Sequence, residues 1–63
     1  MYIIVNERVR RKVDVRSKKV EEFLRELGFN PATTVVMVNG KILTEEDRIK
    51  GEEVHIYTAE SYG

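Results

Sequence analysis

The sequence has no cysteine, no tryptophan and no glutamine, and a single histidine and a single proline. Without cysteine there are no disulfide staples, no thiolate metal sites and no thiol nucleophile. One histidine, with no clustered carboxylate–histidine spacings, leaves no basis for a structural zinc. The chain has no run near the ~18 apolar residues of a membrane span and no basic-then-apolar leader, so the expectation is a non-membrane, cytoplasmic protein. A phosphate-cradling glycine-rich loop and a Walker pattern are missing too, so any ATP chemistry belongs to another protein. At 63 residues the chain is one domain with a small core.

Charge is abundant and unevenly laid out. Eleven basic and eleven acidic side chains cancel, yet residues 1–25 carry eight basic and four acidic groups, and residues 26–63 three and seven. The charged fraction of 35%, with three Asn and no Gln, resembles that of heat-adapted proteins.

Met1-Tyr2-Ile3-Ile4-Val5 is a short apolar run, rich in β-branched and aromatic residues, that predicts a strand buried on at least one face. After the polar turn Asn6-Glu7-Arg8, a second strand places Val9, Arg11, Val13 and Val15 on one side and Arg10, Lys12 and Asp14 on the other. Its charges suit a sheet edge, where they discourage unwanted pairing. At Ser17, the expected N-cap, the period changes. Val20, Phe23, Leu24 and Leu27 then form one helical stripe, with Glu21 facing Arg25, in a helix of about three turns. Gly28 ends the helix as its C′ residue, and Pro31 prevents its resumption. Thr34–Val38 predicts a third strand and Asn39-Gly40 a type I′ hairpin turn into the short strand Lys41–Leu43. Residues 44–49 are polar, with room for one helical turn, and Ile49 alone is suited to the core. In the last strand Val54, Ile56 and Thr58 alternate with His55, Tyr57 and Ala59, and Glu60-Ser61-Tyr62-Gly63 is a flexible polar tail.

One helix with one apolar stripe must pack on the sheet, and a helical crossover suits parallel strands. The expected assembly is an α+β, ubiquitin-like β-grasp roll. Its mixed sheet has four to five strands in the order β-β-α-β-β-β, the first and last strands are parallel at the centre, and the domain spans residues 1–59 with a tail at 60–63.

The order of elements, the stretch Val36-Met37-Val38-Asn39-Gly40, the stretch Gly51-Glu52-Glu53-Val54-His55-Ile56 and a tail ending in Gly63 together resemble the ThiS/MoaD family of ubiquitin-like sulfur carriers over nearly the whole chain. The resemblance implies a carrier, not an enzyme. A ubiquitin-activating-type adenylating enzyme of the ThiF/MoeB kind, using its own ATP, would activate the Gly63 carboxylate, with Glu60, Ser61 and Tyr62 threading into it. A sulfur donor protein would supply the thiocarboxylate. A downstream synthase or thiolation enzyme would consume it for thiamin, molybdopterin or tRNA, or Gly63 would be conjugated to lysine as in small archaeal modifiers. Two positions depart from the family. Tyr62-Gly63 stands where Gly-Gly is usual, so a channel shaped for two glycines would have to admit a tyrosine, and Gly51-Glu52 stands where Gly-Asp is usual.

If Ile3, Val5, Val36, Val38, Val54 and Ile56 face the helix, then Tyr2, Ile4, Met37, His55 and Tyr57 share the opposite face. Such an apolar and aromatic patch suits partner docking on a free monomer, although scattered exposed apolar residues are also common. The sequence sets no nucleophile or carboxylate beside His55 for acid–base work, which leaves it as a contact residue of the patch. Arg8, Arg10, Arg11, Lys12, Arg16, Lys18 and Lys19 form a basic region without stacking aromatics, which fits a solvated edge or an acidic partner better than RNA. Glu45, Glu46 and Asp47 read as solvated acids before they read as a cation site. The competing function is a β-grasp interaction module with an inert tail, and after it a small RNA-binding domain.

Overall fold

The structure, a computed structural model, describes residues 1–14 and 19–59. Val15, Arg16, the expected cap Ser17, Lys18 and the tail residues Glu60, Ser61, Tyr62 and Gly63 lie outside the described residues. The chain forms β1 (Tyr2–Val5), β2 (Val9–Lys12), α1 (Val20–Leu27), a 3-10 turn (Pro31–Thr33), β3 (Thr34–Val38), β4 (Lys41–Leu43) and β5 (Glu53–Thr58). The fold is α+β, with one helix and one mixed five-stranded sheet in the order β2-β1-β5-β3-β4. β1 and β5 run parallel, and every other neighbouring pair is antiparallel. The strand last in sequence is therefore the middle strand in space.

Side-chain alternation assigns the two faces. Ile3, Val5, Val36, Val38, Val54 and Ile56 are buried under α1, where Val20, Phe23 and Leu24 meet them, with Phe29 and Ile49 closing the ends. Burying Phe23 and Leu24 completely contributes about 1.5–3 kcal/mol each. Phe29 is a core residue that the helical stripe does not predict. It enters because the N–H of Phe29 bonds back to the Leu24 carbonyl (2.8 Å) as the chain turns at Gly28 (φ 90°), folding the ring under the helix end.

The helix is shorter than its stripe predicts: eight residues, about two turns. Its N-cap position is Lys19, whose side chain makes no capping hydrogen bond, and the expected cap Ser17 lies outside the described residues. The cap is tertiary instead. The N–H of Val20 donates to the Asp47 carbonyl (3.0 Å) and that of Glu21 to the Glu45 carbonyl (3.3 Å), so the 44–47 loop satisfies amides that a helix start leaves open. This also accounts for Lys19 before the helix, since its ammonium lies 3.6 Å from Glu46. Glu21 and Arg25 pair at 3.3 Å, as the spacing predicts.

Residues 44–47 form a turn with no helical character. The Asp47 carboxylate accepts from the Thr44 N–H (2.7 Å) and hydroxyl (3.1 Å), and the N–H of Asp47 returns to the Thr44 carbonyl (3.0 Å). These bonds stabilise the ionised form and hold the Asp47 pKa below its ordinary value, the Thr44 N–H contributing most.

Candidate docking face and strand end

The expected face residues come together on the side of the sheet away from α1. Register lines up Arg10, Ile4, His55, Met37 and Ile42 in one row across all five strands. Tyr2 beside Glu53 and Val35 beside Tyr57 flank it. Two of these were not anticipated. Val35 is 44% exposed and Ile42 61%, which makes Ile42 the most exposed large apolar residue described. The sequence held the signal: an Asn39-Gly40 two-residue turn pairs Val38 with Lys41, and therefore Met37 with Ile42. Ile4, Met37, His55 and Tyr57 are half-buried by one another, while Tyr2 is 38% exposed.

Polar groups organise one side of this face. The Arg10 guanidinium lies 4.6 Å from the centroid of the Tyr2 ring, stacked over it, and reaches Glu53 at 3.4 Å. Glu53 also faces His55, whose Nε2 is 3.5 Å from Oε1. Two expectations are corrected here. A carboxylate does stand beside His55, because residues two apart on a strand share a face; no nucleophile joins them among the described residues. The basic region does contain an aromatic, Tyr2, but Arg10 already covers one face of that ring. The His55 ring lies nearly parallel to Tyr57 (6.4 Å, 15°), and its Nδ1 is buried without a hydrogen-bond partner among the described residues. The acid–base reading gains a neighbour but no reacting pair.

The acidic trio does not converge either: Asp47 holds Thr44 and Glu46 faces Lys19. Among the described residues no group of three His, Asp or Glu side chains is placed to hold a metal. A separate depression of about 500 Å³ lies on the helix side of the sheet, with Lys41, Arg48 and Lys50 around Asp47. No helix of the described residues is long and apolar enough to cross a membrane.

The end of β5 is held with unusual completeness. The Asn6 N–H donates to the Ile56 carbonyl (2.8 Å), as a parallel ladder requires. The Asn6 side chain then accepts from the Thr58 N–H (2.9 Å) and donates to the Thr58 carbonyl (2.9 Å). Across β5, the Thr34 hydroxyl meets that of Thr58 at 3.4 Å. The Tyr57 phenol donates to Glu7 (3.1 Å); its pKa is raised, first by partial desolvation and then by this bond, which favours the neutral phenol.

No protein-family model matches the sequence.

Proposed function

We propose that this chain is a ubiquitin-like β-grasp carrier of the ThiS/MoaD kind, reactive at Gly63 and docking on its partners through Tyr2, Ile4, Met37, His55 and Tyr57. The observation that carries the reading is the position of β5. The last strand is the central one, bonded to β1 and β3, so the chain beyond Thr58 starts from the best-held strand of the sheet, beside an open apolar face. The central parallel pair, flanked by two hairpins and backed by one helix, is the arrangement expected of a β-grasp roll.

The chemistry asked of the chain is small. Its terminal carboxylate attacks the α-phosphorus of ATP on an adenylating enzyme of the ThiF/MoeB kind, forming an acyl-adenylate and releasing pyrophosphate. A persulfide on a sulfur donor protein then attacks the acyl carbon and AMP leaves. A thiol cleaves the resulting acyl disulfide to the thiocarboxylate, itself becoming the disulfide. Attack by a lysine amine on the activated carbonyl instead gives an isopeptide bond. The downstream acceptor is thiamin, molybdopterin or tRNA chemistry, and the setting is cytoplasmic.

Intact-protein mass spectrometry of material from native cells tests this. A terminal acid with one oxygen replaced by sulfur, or lysine adducts ending in this tail, is the expected result. A chain unmodified in cells and inert with ATP and adenylating enzymes would overturn it. The open face also favours a second reading, an interaction module with an inert tail, for which Tyr62 at the penultimate position speaks. Deleting Gly63 separates the two, because it abolishes carrier chemistry while leaving docking through the sheet intact.

A further inference from the structure

We infer that Asn6 is a positioning residue for the reactive end of the chain: its carboxamide closes the β1–β5 ladder at Thr58 and sets where the chain is released from the sheet. The inference rests on the carrier reading.

In a parallel ladder a residue donates to one partner carbonyl and accepts, through its own carbonyl, from the N–H two residues on. Asn6 makes the first bond in the regular way, to Ile56. Its φ of 51° then turns the backbone out of the ladder into the β1–β2 turn. The side-chain oxygen takes the Thr58 N–H in place of the main-chain oxygen, and the side-chain NH₂ takes the next position, the Thr58 carbonyl. An asparagine side chain is a primary amide, so it reproduces both halves of a peptide group where the strand itself has ended. Asn also tolerates the left-handed backbone better than other side chains. Without it, the two hydrogen bonds that join Thr58 to the end of β1 would be lost.

Five residues follow Thr58, a reach of at most about 17 Å. Without the clamp Thr58 would join the stretch beyond the ladder, which lengthens from five residues to six, while Tyr57 stays paired with Val35. The effective concentration of its end falls roughly as the −3/2 power of length, a loss of about 1.3-fold before any loss of direction. Docking through the sheet face would be unchanged. The clamp therefore acts on turnover and not on docking.

Asn6→Gly tests this, because glycine keeps the positive φ and removes only the carboxamide. In the otherwise intact chain, the Thr58 amide is expected to exchange with solvent about tenfold faster than in the wild type, as loss of the clamp implies. In ATP–pyrophosphate exchange on the ubiquitin-activating-type enzyme purified from the same cells, kcat is expected to fall by about 1.3-fold or more with KM for the chain unchanged. Asn6→Asp, which keeps the acceptor and loses the donor, is expected to lie between. Unchanged Thr58 exchange, faster exchange with unchanged kcat, or a rise in KM alone overturns the inference. Were the wild-type chain itself to support no pyrophosphate exchange, the carrier reading would fall and this one with it, a result distinct from a wild type and Asn6→Gly that are equally active.

Discussion

Both hairpin turns open with two residues at positive φ, and they differ in length and in what their side chains do. Asn39-Gly40 has φ of 51° and 77°; Asn6-Glu7 has 51° and 59°. In the first turn the Asn39 side chain makes no hydrogen bond among the described residues, and the space around Gly40 is open. That turn only reverses the chain. In the second, a glutamate occupies a conformation that costs a side chain about 1–2 kcal/mol, and both residues reach β5: Asn6 to Thr58 and Glu7 to Tyr57. The bond from Tyr57 offsets only part of the backbone cost at Glu7, whereas Asn6 tolerates this conformation and makes two bonds from it.

The sharpest way to break this comparison is to give both asparagines the same substitution. Asn6→Gly is expected to cost about 2 kcal/mol, from two lost hydrogen bonds, whereas Asn39→Gly stays within about 0.5 kcal/mol. Urea denaturation with an unchanged slope measures both, and equal losses would mean that the Asn6 bonds add nothing. Gly40→Ala comes next. Nothing crowds the added methyl, so only the φ of 77° opposes it, and the expected loss is about 1 kcal/mol. Glu7→Gly reverses the sign. Relief of the backbone outweighs one exposed hydrogen bond, and a gain of up to about 1 kcal/mol is expected in the same assay; a loss would show that the bond to Tyr57 is the stronger term.

The smallest effect concerns pH. The neutral Asn6 clamp has no titration of its own, but the 44–47 turn does. Asp47 has a folded pKa below its unfolded value, so its contribution is present above the ordinary carboxylate range and fades as pH falls through the depressed folded value. Asp47→Asn is expected to flatten that acid limb of the stability profile, while Asn6→Gly lowers the whole profile without reshaping it.

Much of the sheet was legible because its signals are short. β-branched apolar runs located β1 and β3, period-2 alternation located β5, and Asn39-Gly40 fixed the β3–β4 register. The glycine at Gly28 marked the helix end. The helix start was not legible, since the groups that satisfy it are the carbonyls of Glu45 and Asp47, which lie 24 and 27 positions beyond the Glu21 and Val20 amides they accept from. Asn6-Glu7-Arg8 read as a polar turn and nothing more, because its partners on β5 stand fifty or more positions away. The pairing of Tyr2 with Arg10, and of Glu53 with His55 and Arg10 together, likewise depended on neighbours in the sheet.

The sequence by itself determined which residues are apolar at which period, where glycine permits a reversal, and thus which side of each strand faces the helix. Those properties depend on residues a few positions apart. Only the tertiary structure decided that the helix is capped by a loop, that Glu53 stands between Arg10 and His55, and that an asparagine side chain finishes the ladder at Thr58. Each of these joins groups distant along the chain, and such contacts form only once the core has packed and brought the strands into register.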